Sequence, residues 1–494
     1  MLGLLKSTSV IFLIAFAGFL ISKESYRQGF EKSLKDISLW ISSNYKVLLV
    51  AVLGFAAILR FYNLTSREFW YDEAFSSLLI NRSWASFFTL MLKDVHPPLY
   101  YVLLKAWSYI FGFSDLGLRS FSVVFGIAAV FMATQFVYTL TKNKSAALIS
   151  GVIFAVNPFL IQYSQETRSY ALLSFLILTV AYALFNKRWG LLALFLSLTF
   201  LTHYMNLFLF PFVFFVVLAY NLLDKEVSWL SFSSLLFPFV VVLVWSPFLY
   251  NHWKGGSDLL GWIPPAKLSS LFYALSTFLF GEVFSKSRLI LIFTLLGAFL
   301  TGVFIWQTFY KKSKQFKFNF LSLVSLSLIP ICIVLCLSIF GGMDLFIDRV
   351  LIGYFALLLT LIIYTFSKAH PLVWIPAFLL YAFYSLNFLQ QKSVENPGYN
   401  ELIKFSNHTN KKLVLTDPMH YLPMKHYLFK ASPQKLAQIK VQLDTPGDWP
   451  LIFQEDRVEK ENLNEPFYLV NYGEISDWQS SIKVGSFYLY EWSN

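Results

Sequence analysis

Long apolar runs recur through the first 390 residues of the chain, and several of them are long enough to cross a membrane. A bilayer core of roughly 30 Å takes about 20 helical residues to span. Lipid offers the backbone no hydrogen-bond partners, so a run of this length favours an α-helix, which satisfies its own backbone groups. The chain is 57% hydrophobic and only 14% charged. We therefore predict a polytopic α-helical membrane protein.

The basic residues indicate how the chain crosses the bilayer. A net charge of +11 would suggest a nucleic-acid partner in a soluble domain. Here, however, Lys and Arg lie mainly in short clusters between apolar runs, which is typical of cytoplasmic loops. We therefore expect a lipid bilayer, and no nucleic acid, as partner. The clusters that we place in the cytoplasm are Lys23 to Lys46, Lys142 with Lys144, Lys187 with Arg188, Lys225, Lys311 to Lys317, and Lys368.

Two apolar stretches, Pro97 to Phe113 and Lys267 to Phe284, must lie along the membrane surface if all these clusters share one side. About eleven spans then remain, and the first of them ends near Tyr62 on the outer face. The stretch from Ser9 to Ile21 could be a further span, an uncleaved signal or an interfacial helix. The predicted spans are 47–62, 118–140, 145–162, 169–186, 189–205, 207–223, 228–249, 288–310, 319–341, 348–367 and 371–390.

Composition divides the chain into three regions. Residues 1–45 hold the N-terminal apolar segment and a basic cytoplasmic stretch, and residues 46–390 form the transmembrane domain. Residues 391–494 are polar, with strand-like runs such as Leu413 to Leu415 and Phe467 to Val470, which indicates a small soluble α/β or α+β domain. The topology places this domain outside the cell, where it could recognise an acceptor, cover a site or serve as a structural cap.

Two adjacent carboxylates, Asp72 and Glu73 in the stretch FWYDEAFS, follow the first span at the outer membrane boundary. Charge is costly near hydrocarbon, so carboxylates kept there often serve a pathway, a structural pair or chemistry. This acid doublet alone could also be a solvated loop, or Glu73 could start a helix as a first-turn acid. The doublet could hold a divalent metal, although two carboxylates are a thin ligand set.

Other polar side chains lie at the same predicted outer ends of spans. His96 begins HPPLYY, whose two prolines hold it at the start of a helix. Any single arginine here could merely reach to the interface, and a lone histidine such as His203 could be a satisfied interfacial residue. Their joint placement with the acid doublet predicts one cavity. The candidates are His96, Arg119, Gln165, Glu166, Arg168, His203, Asp348 and Arg349.

The order of the motifs WYDEAFS, HPPLYY, GLRSFS, SQETRSYAL and FIDRV resembles the membrane-embedded glycosyltransferases of the GT-C superfamily. The resemblance covers roughly residues 60–354 and is closer to the branch of protein O-mannosyltransferases and bacterial aminoarabinose transferases, in its prokaryotic form. It implies a GT-C-like fold with surface-lying helices in the first outer loop. It also implies a polyprenyl-phosphate sugar as donor and transfer on the outer face of a prokaryotic cell membrane.

The resemblance also assigns residues to roles. It makes Asp72 the acidic residue central to transfer, with Glu73 beside it. The late motif reads Arg-Val where relatives often have Arg-Tyr, so a tyrosine contact expected there could be absent or could come from Tyr354. The substrate- and phosphate-binding positions that the resemblance matches are His96, Arg119, Glu166, Arg168 and Arg349, and the cavity argument adds His203.

The expected chemistry fits these residue types. A sugar on a lipid phosphate carries a good leaving group. An inverting single displacement therefore needs one base for the acceptor hydroxyl and cations for the departing phosphate, but no second carboxylic acid. We assign the base to Asp72 and stabilisation of the phosphate to some of His96, Arg119, Arg168 and Arg349. If the acceptor were itself a phosphate, no base would be needed and Asp72 would position the substrate instead. We expect a hexosyl- or pentosyltransferase that requires no cofactor and acts on a protein, lipid or glycan acceptor.

Two alternatives stay open. A lipid or sugar transporter or flippase is also polytopic with interfacial charges, but transporters tend to show internal repeats and broken helices with polar groups near mid-membrane. The predicted spans show neither of these features. A glycan polymerase or ligase would use a diphosphate-linked donor instead, and an assay with polyprenyl-monophosphate sugars distinguishes it.

Overall fold

The computed structural model of the chain describes its residues with several gaps. The predicted segment 9–21, the predicted span 288–310 and most of the predicted span 371–390 lie outside the described residues. The described ranges are 24–224, 228–254, 263–281, 313–367, 381–382, 385, 396–409, 411–415, 418–431, 439–442, 457–458, 467–472 and 481–492.

The described part of residues 24–367 is a helical membrane domain. Short 3-10 turns at Tyr204–Leu209 and Asp348–Leu351 precede α11 and α15. The helices in chain order are α1 (Glu24–Ser43), α2 (Tyr45–Phe61), α3 (Tyr71–Ile80), α4 (Trp84–Met91), α5 (Leu99–Phe111), α6 (Asp115–Thr141), α7 (Lys144–Val156), α8 (Pro158–Ser164), α9 (Tyr170–Phe185), α10 (Trp189–Thr202), α11 (Phe210–Asp224), α12 (Trp229–Lys254), α13 (Leu268–Phe280), α14 (Lys314–Phe340) and α15 (Ile352–Phe366).

The prediction of a polytopic helical membrane protein is confirmed. Five described segments are long and apolar enough to span a membrane, and two bent helix pairs, α1 with α2 and α7 with α8, could add one span each. The count of about eleven spans stays a prediction, as do the domain boundaries near residues 45 and 390. The five segments are Asp115–Thr141, Tyr204–Leu223, Trp229–Asn251, Lys314–Phe340 and Asp348–Phe366.

The predicted span 145–162 is broken in the structure, which the sequence analysis did not foresee. α8 begins at Pro158 with a bend of 60° to α7. Proline has no N–H to continue the helical ladder, and the Asn157 side chain caps the new helix by accepting from the Leu160 N–H at 2.8 Å. Asn157 also donates to the Phe278 carbonyl at 2.9 Å. The break is therefore held in place by α13.

The two stretches expected to lie on the membrane surface form short helices. α5 and α13 have 13 residues each, about 20 Å at 1.5 Å per residue. On α5, Tyr101 and Leu104 are buried against the protein while Tyr109 and Ile110 are exposed. This one-sided burial agrees with the predicted surface position.

Helix α6 connects the two ends of the membrane domain. It has 27 residues, about 40 Å of helix, and packs in the core against α7 and α9. Asp115 at its start contacts the C-terminal domain through Tyr427, whereas Lys142 and Lys144 follow its last turn. The basic pair thus lies at the far end of this helix from the soluble domain, as the predicted topology requires.

The C-terminal region is a small α/β domain, as predicted. Its described parts form a six-stranded sheet in the order β3-β2-β1-β4-β6-β5. β1 pairs in parallel with β2 and β4, and β6 pairs antiparallel with β4 and β5. The predicted apolar runs fall in β1 and β4. The elements are α16 (Tyr399–Asn407), β1 (Lys412–Leu415), α17 (Pro418–Ala431), β2 (Ile439–Gln442), β3 (Arg457–Val458), β4 (Phe467–Tyr472), β5 (Ile482–Val484) and β6 (Phe487–Trp492).

Candidate active site

The two carboxylates of the acid doublet point in different directions, because neighbouring residues on a helix are about 100° apart. Asp72 and Glu73 both lie in the first turn of α3, where acids stabilise the helix N-terminus. The side chain of Asp72 is 23% exposed, whereas that of Glu73 is 0% exposed. The doublet therefore offers one carboxylate to solvent and one to the protein interior.

Glu73 forms a buried ion pair with Arg119 of α6. The guanidinium donates through Nε to Oε1 at 2.8 Å and through Nη2 to Oε2 at 2.7 Å, and the Thr167 N–H donates to Oε1 at 2.8 Å. Burial by itself would raise the pKa of the Glu73 carboxyl, but the charge and hydrogen bonds of Arg119 outweigh it and lower the pKa. The carboxylate is therefore ionised.

Arg119 also holds the backbone that precedes the doublet. Its Nη1 donates to the carbonyls of Leu64 and Arg67 at 2.8 and 2.7 Å, and its side chain is 1% exposed. This placement leaves Arg119 no open face for a phosphate, contrary to the role that the sequence analysis gave it. Arg119 and Glu73 instead fasten the segment before α3 to α6.

Asp72 lies between two arginines without being bound tightly to either. Its Oδ2 is 3.8 Å from the Arg168 Nη2 and 3.8 Å from the Arg349 Nη2. Both separations exceed hydrogen-bond length, so the carboxylate is close to two cations without a direct hydrogen bond to either. We call Asp72, His96, Arg168 and Arg349 the Asp72 cluster. The structure thus brings these four predicted residues together.

Arg168 is the most buried member of the cluster, at 4% exposure. It donates from Nη1 to the Ser76 Oγ at 3.4 Å and from Nη2 toward the His96 Nε2 at 3.3 Å. Its Nε is buried and has no hydrogen-bond partner within the described residues. A buried guanidinium N–H without an acceptor is costly, and an acceptor placed there would remove that cost.

Arg349 enters the cluster from the turn before α15. Its guanidinium carbon lies 5.1 Å from the centre of the Trp70 ring, a cation–π distance, and its side chain is 19% exposed. Tyr354, which could have supplied the missing tyrosine contact, is fully buried and donates to the Met205 carbonyl at 2.7 Å. Tyr354 therefore does not serve the cluster.

His96 faces a second histidine and a carboxylate that the sequence analysis missed. The rings of His96 and His203 stand edge to face with centroids 5.7 Å apart, so His203 borders the cluster. The His96 Nδ1 lies 3.1 Å from the Asp94 Oδ2. Asp94 stands two residues before His96 in DVHPP, and that spacing was the available signal.

Two further candidates, Gln165 and Glu166, support the backbone around the cluster. Gln165 donates from Nε2 to the carbonyls of Arg60 and Tyr62 at 3.1 and 2.8 Å, which caps the end of α2. Glu166 forms an ion pair with Arg67 at 3.2 Å. Glu166 was predicted to bind substrate, but its side chain is 5% exposed and this contact is with the protein itself.

The soluble domain is tied to the segment before α3 through Glu68, another residue that the sequence analysis did not single out. Its carboxylate accepts from the N–H groups of Gly398, Tyr399 and Asn400 at 3.0 to 3.1 Å and from the Asn400 side chain at 2.9 Å. A carboxylate at a helix N-terminus is well placed to satisfy free N–H groups. Glu68 thereby caps α16 of the soluble domain.

A second set of contacts holds the same segment from α17. The Phe69 N–H donates to the Tyr427 hydroxyl at 2.7 Å, which donates to Asp115 at 2.8 Å. Phe69 stacks on the His426 ring at 4.7 Å, and Lys430 pairs with Asp115. The soluble domain therefore packs directly beside the acid doublet.

The described residues contain no group of three or more His, Cys, Asp or Glu side chains that could hold a metal ion. Both oxygens of Glu73 accept hydrogen bonds from Arg119. The alternative of a divalent metal on Asp72 and Glu73 therefore gains no support from the donor set.

The sequence from residue 95 to residue 245 matches the family model of the dolichyl-phosphate-mannose-protein mannosyltransferases. This range includes His96, Arg168 and His203 but neither Asp72 nor Arg349. No curated protein matches the sequence.

Several solved structures share the fold. Apo ArnT from Cupriavidus metallidurans has a TM-score of 0.59 and 11% identity over 91% of this chain and 98% of its own. The same enzyme bound to undecaprenyl phosphate has a TM-score of 0.56 and 12% identity over 90% and 98%. The Archaeoglobus fulgidus oligosaccharyltransferase AglB, with an inhibitory peptide and a dolichol-phosphate, has a TM-score of 0.51 and 13% identity over 78% and 64%. Identities this low show a common fold alone.

Proposed function

We propose that this chain is a membrane-embedded glycosyltransferase, which its fold and its family match support. In this proposal it moves a sugar from a polyprenyl-monophosphate donor to an acceptor hydroxyl by inverting single displacement. The observation that carries the proposal is the Asp72 carboxylate, partly exposed and 3.8 Å from each of two arginines.

Asp72 is the base in this reaction. The acceptor oxygen attacks the anomeric carbon, the carbon–oxygen bond to the phosphate breaks, and the lipid phosphate leaves with the electron pair. The proton of the acceptor hydroxyl passes to the Asp72 carboxylate. Because phosphate is a good leaving group, the reaction needs no general acid, and one carboxylate suffices.

Arg168 and Arg349 stabilise the departing phosphate. A guanidinium presents planar forked donors that match phosphate oxygens, and prearranged donors stabilise the negative charge that develops as the bond breaks. The unpaired Nε of Arg168 supports this role. His96 and His203 border the same space, and we propose that they contact the substrate.

Two of the solved structures support a polyprenyl-monophosphate donor. ArnT has been solved with undecaprenyl phosphate and AglB with a dolichol-phosphate, which supports a polyprenyl phosphate as the lipid carrier here. The sugar is a hexose or a pentose in this proposal, and the acceptor is a protein, lipid or glycan.

We place the reaction on the extracytoplasmic face of a prokaryotic cell membrane. The basic pair Lys142 and Lys144 lies at the far end of α6 from the soluble domain, and basic loops favour the cytoplasm. The soluble domain packs against α3, beside Asp72. The cluster and the soluble domain then share the outer side.

A donor screen with the purified full-length protein tests the proposal. Polyprenyl-monophosphate and polyprenyl-diphosphate forms of several hexoses and pentoses are incubated with it in membranes that supply acceptors, and transferred label is counted. We expect transfer from at least one monophosphate donor. Transfer from diphosphate donors alone would favour a polymerase or ligase, and movement of lipid-linked sugar across vesicles without transfer would favour a flippase.

A further inference from the structure

We propose that Asp94 is a positioning residue, which fixes the tautomer and orientation of His96 and thereby holds the Arg168 guanidinium beside Asp72. The proposal rests on the function proposed above, since it assigns a second carboxylate to the same site. Asp94 does not need to touch the substrate in this role, because it acts through His96.

Asp94 is held from two sides in the loop between α4 and α5. It is 8% exposed, and its Oδ2 accepts from the Tyr101 hydroxyl at 2.9 Å and lies 3.1 Å from the His96 Nδ1. Tyr101 is itself 1% exposed. Pro97 and Pro98 follow His96 directly, and their fixed φ angles limit how the loop can move. The carboxylate is thus a stable anchor for the ring.

Asp94 is ionised in this setting. Burial by itself would raise the pKa of its carboxyl, but the hydrogen bonds from His96 and Tyr101 and the charge of Arg168 outweigh burial and lower the pKa. An ionised carboxylate accepts hydrogen bonds and donates none. The nitrogen of His96 that faces it must therefore carry the proton.

The opposite nitrogen of His96 must carry a lone pair. A guanidinium has donors and no acceptor, and the Arg168 Nη2 lies 3.3 Å from the His96 Nε2. A proton on Nε2 would set two donors against each other. The contacts on both sides therefore select the neutral ring protonated at Nδ1, with Nε2 accepting from Arg168.

This tautomer matters because the same guanidinium nitrogen of Arg168 lies close to both His96 and Asp72. The Arg168 Nη2 is the atom 3.3 Å from His96 and also the atom 3.8 Å from the Asp72 Oδ2. The guanidinium is rigid and planar, so a ring that turns or gains a proton displaces the whole fork. Asp94 therefore controls, through His96, the position of the Arg168 guanidinium relative to Asp72 and to a bound phosphate.

Asp94→Asn tests the proposal, because it keeps the size of the side chain but removes its charge. The amide can turn its NH₂ group toward the ring and favour the other tautomer. In metal sites, removing the residue that hydrogen-bonds the free nitrogen of a metal-bound histidine typically lowers activity or metal affinity 10- to 100-fold. By that analogy we expect kcat/KM to fall about 10- to 100-fold with a normal melting profile. Lys93→Gln is the control, since it removes a charge from an exposed side chain in the same loop and should change kcat/KM less than about threefold.

A double-mutant cycle separates a positioning role from a merely structural one. If Asp94 acts through His96, the Asp94→Asn change should cost little once His96→Gln is present, because the link is already broken. Additive losses in the double variant, or parental kcat/KM in Asp94→Asn, would overturn the proposal.

Nitrogen NMR of labelled histidine tests the tautomer without any activity measurement. The chain has 7 histidines, and the His96→Gln variant assigns the signal. We expect His96 in the parent to be neutral and protonated at Nδ1, and to become a mixture of tautomers in Asp94→Asn. A parent ring protonated at Nε2, or an unchanged spectrum in the variant, contradicts the inference. If no donor supports transfer, the proposed function fails while this spectrum still decides the role of Asp94.

Discussion

Exchanging Glu73 for Gln should destabilise the protein, while exchanging its neighbour Asp72 for Asn should not. Glu73 provides both oxygens to Arg119, and the two side chains are 0% and 1% exposed. Glu73→Gln keeps the size of the side chain but leaves the charge of Arg119 buried without its counter-ion. Removing one partner of a buried ion pair typically costs about 3 to 5 kcal/mol.

The contacts of Arg119 place the expected cost near the lower limit. Three backbone carbonyls, those of Leu64, Arg67 and Glu68, would still accept from the guanidinium. A loss of about 3 kcal/mol corresponds to a more than 100-fold change in the unfolding equilibrium. Asp72, by contrast, is 23% exposed and lies beyond hydrogen-bond distance of both arginines, so Asp72→Asn should stay within about 0.5 kcal/mol of the parent.

Thermal unfolding in one detergent, followed by tryptophan fluorescence, measures both variants against the parent. We expect a clear drop in melting temperature for Glu73→Gln and nearly none for Asp72→Asn. Glu73→Gln that melts with the parent and loses only turnover would refute the structural role, and it would return Glu73 to the catalytic pair that the sequence suggested.

Three further outcomes follow from the same geometry. Arg168→Lys and Arg349→Lys keep the charge but lose the fork, so each should lower kcat/KM at least about 10-fold with normal melting; parental kinetics in both would remove them from the phosphate site. Glu68→Gln puts an NH₂ group against the N–H donors of α16, so limited proteolysis should release the soluble domain faster than in the parent; an unchanged digestion rate would contradict the docking role. A single cysteine at Ser481 should react with an impermeant thiol reagent applied outside cells whereas one at Lys142 should not, and the reverse pattern would invert the topology.

The fold could largely be predicted because its controlling signals are local. Apolar runs predict helices, and strand-like runs such as Leu413 to Leu415 predicted the central strand of the soluble domain. The break at Asn157 was not predicted, because Pro158 alone does not distinguish a bend within a span from the start of a helix. The contact that fixes the bend joins Asn157 to Phe278, and no local pattern encodes that contact.

The membership of the site was easier to predict than the role of each residue. Helix-end residues that share one side of a membrane can be grouped from topology, which brought Asp72, His96, Arg168 and Arg349 together. The orientation of α3 relative to α6 decides which carboxylate of the doublet faces inward. Two adjacent acidic residues in the sequence do not reveal that orientation. Arg119 was therefore assigned to phosphate although the structure pairs it with Glu73.

Long-range contacts explain what was missed. Glu68 bonds to backbone N–H groups about 330 positions later in the chain, and backbone groups have no sequence signal. Asp94 had a signal, its spacing of two residues from His96. The role of Asp94 could not be predicted from that spacing, because it depends on Arg168 lying on the other side of the His96 ring.

The central claim is that the Asp72 carboxylate takes the acceptor proton, and single-turnover transfer by Asp72→Asn tests it most directly. The measurement uses enzyme in excess over a labelled polyprenyl-monophosphate sugar that the parent accepts, with donor binding measured in parallel. Loss of a general base typically costs about 100- to 10,000-fold in rate. The account predicts a loss of that size with donor affinity within about threefold of the parent. Transfer by Asp72→Asn at a rate near that of the parent would contradict it.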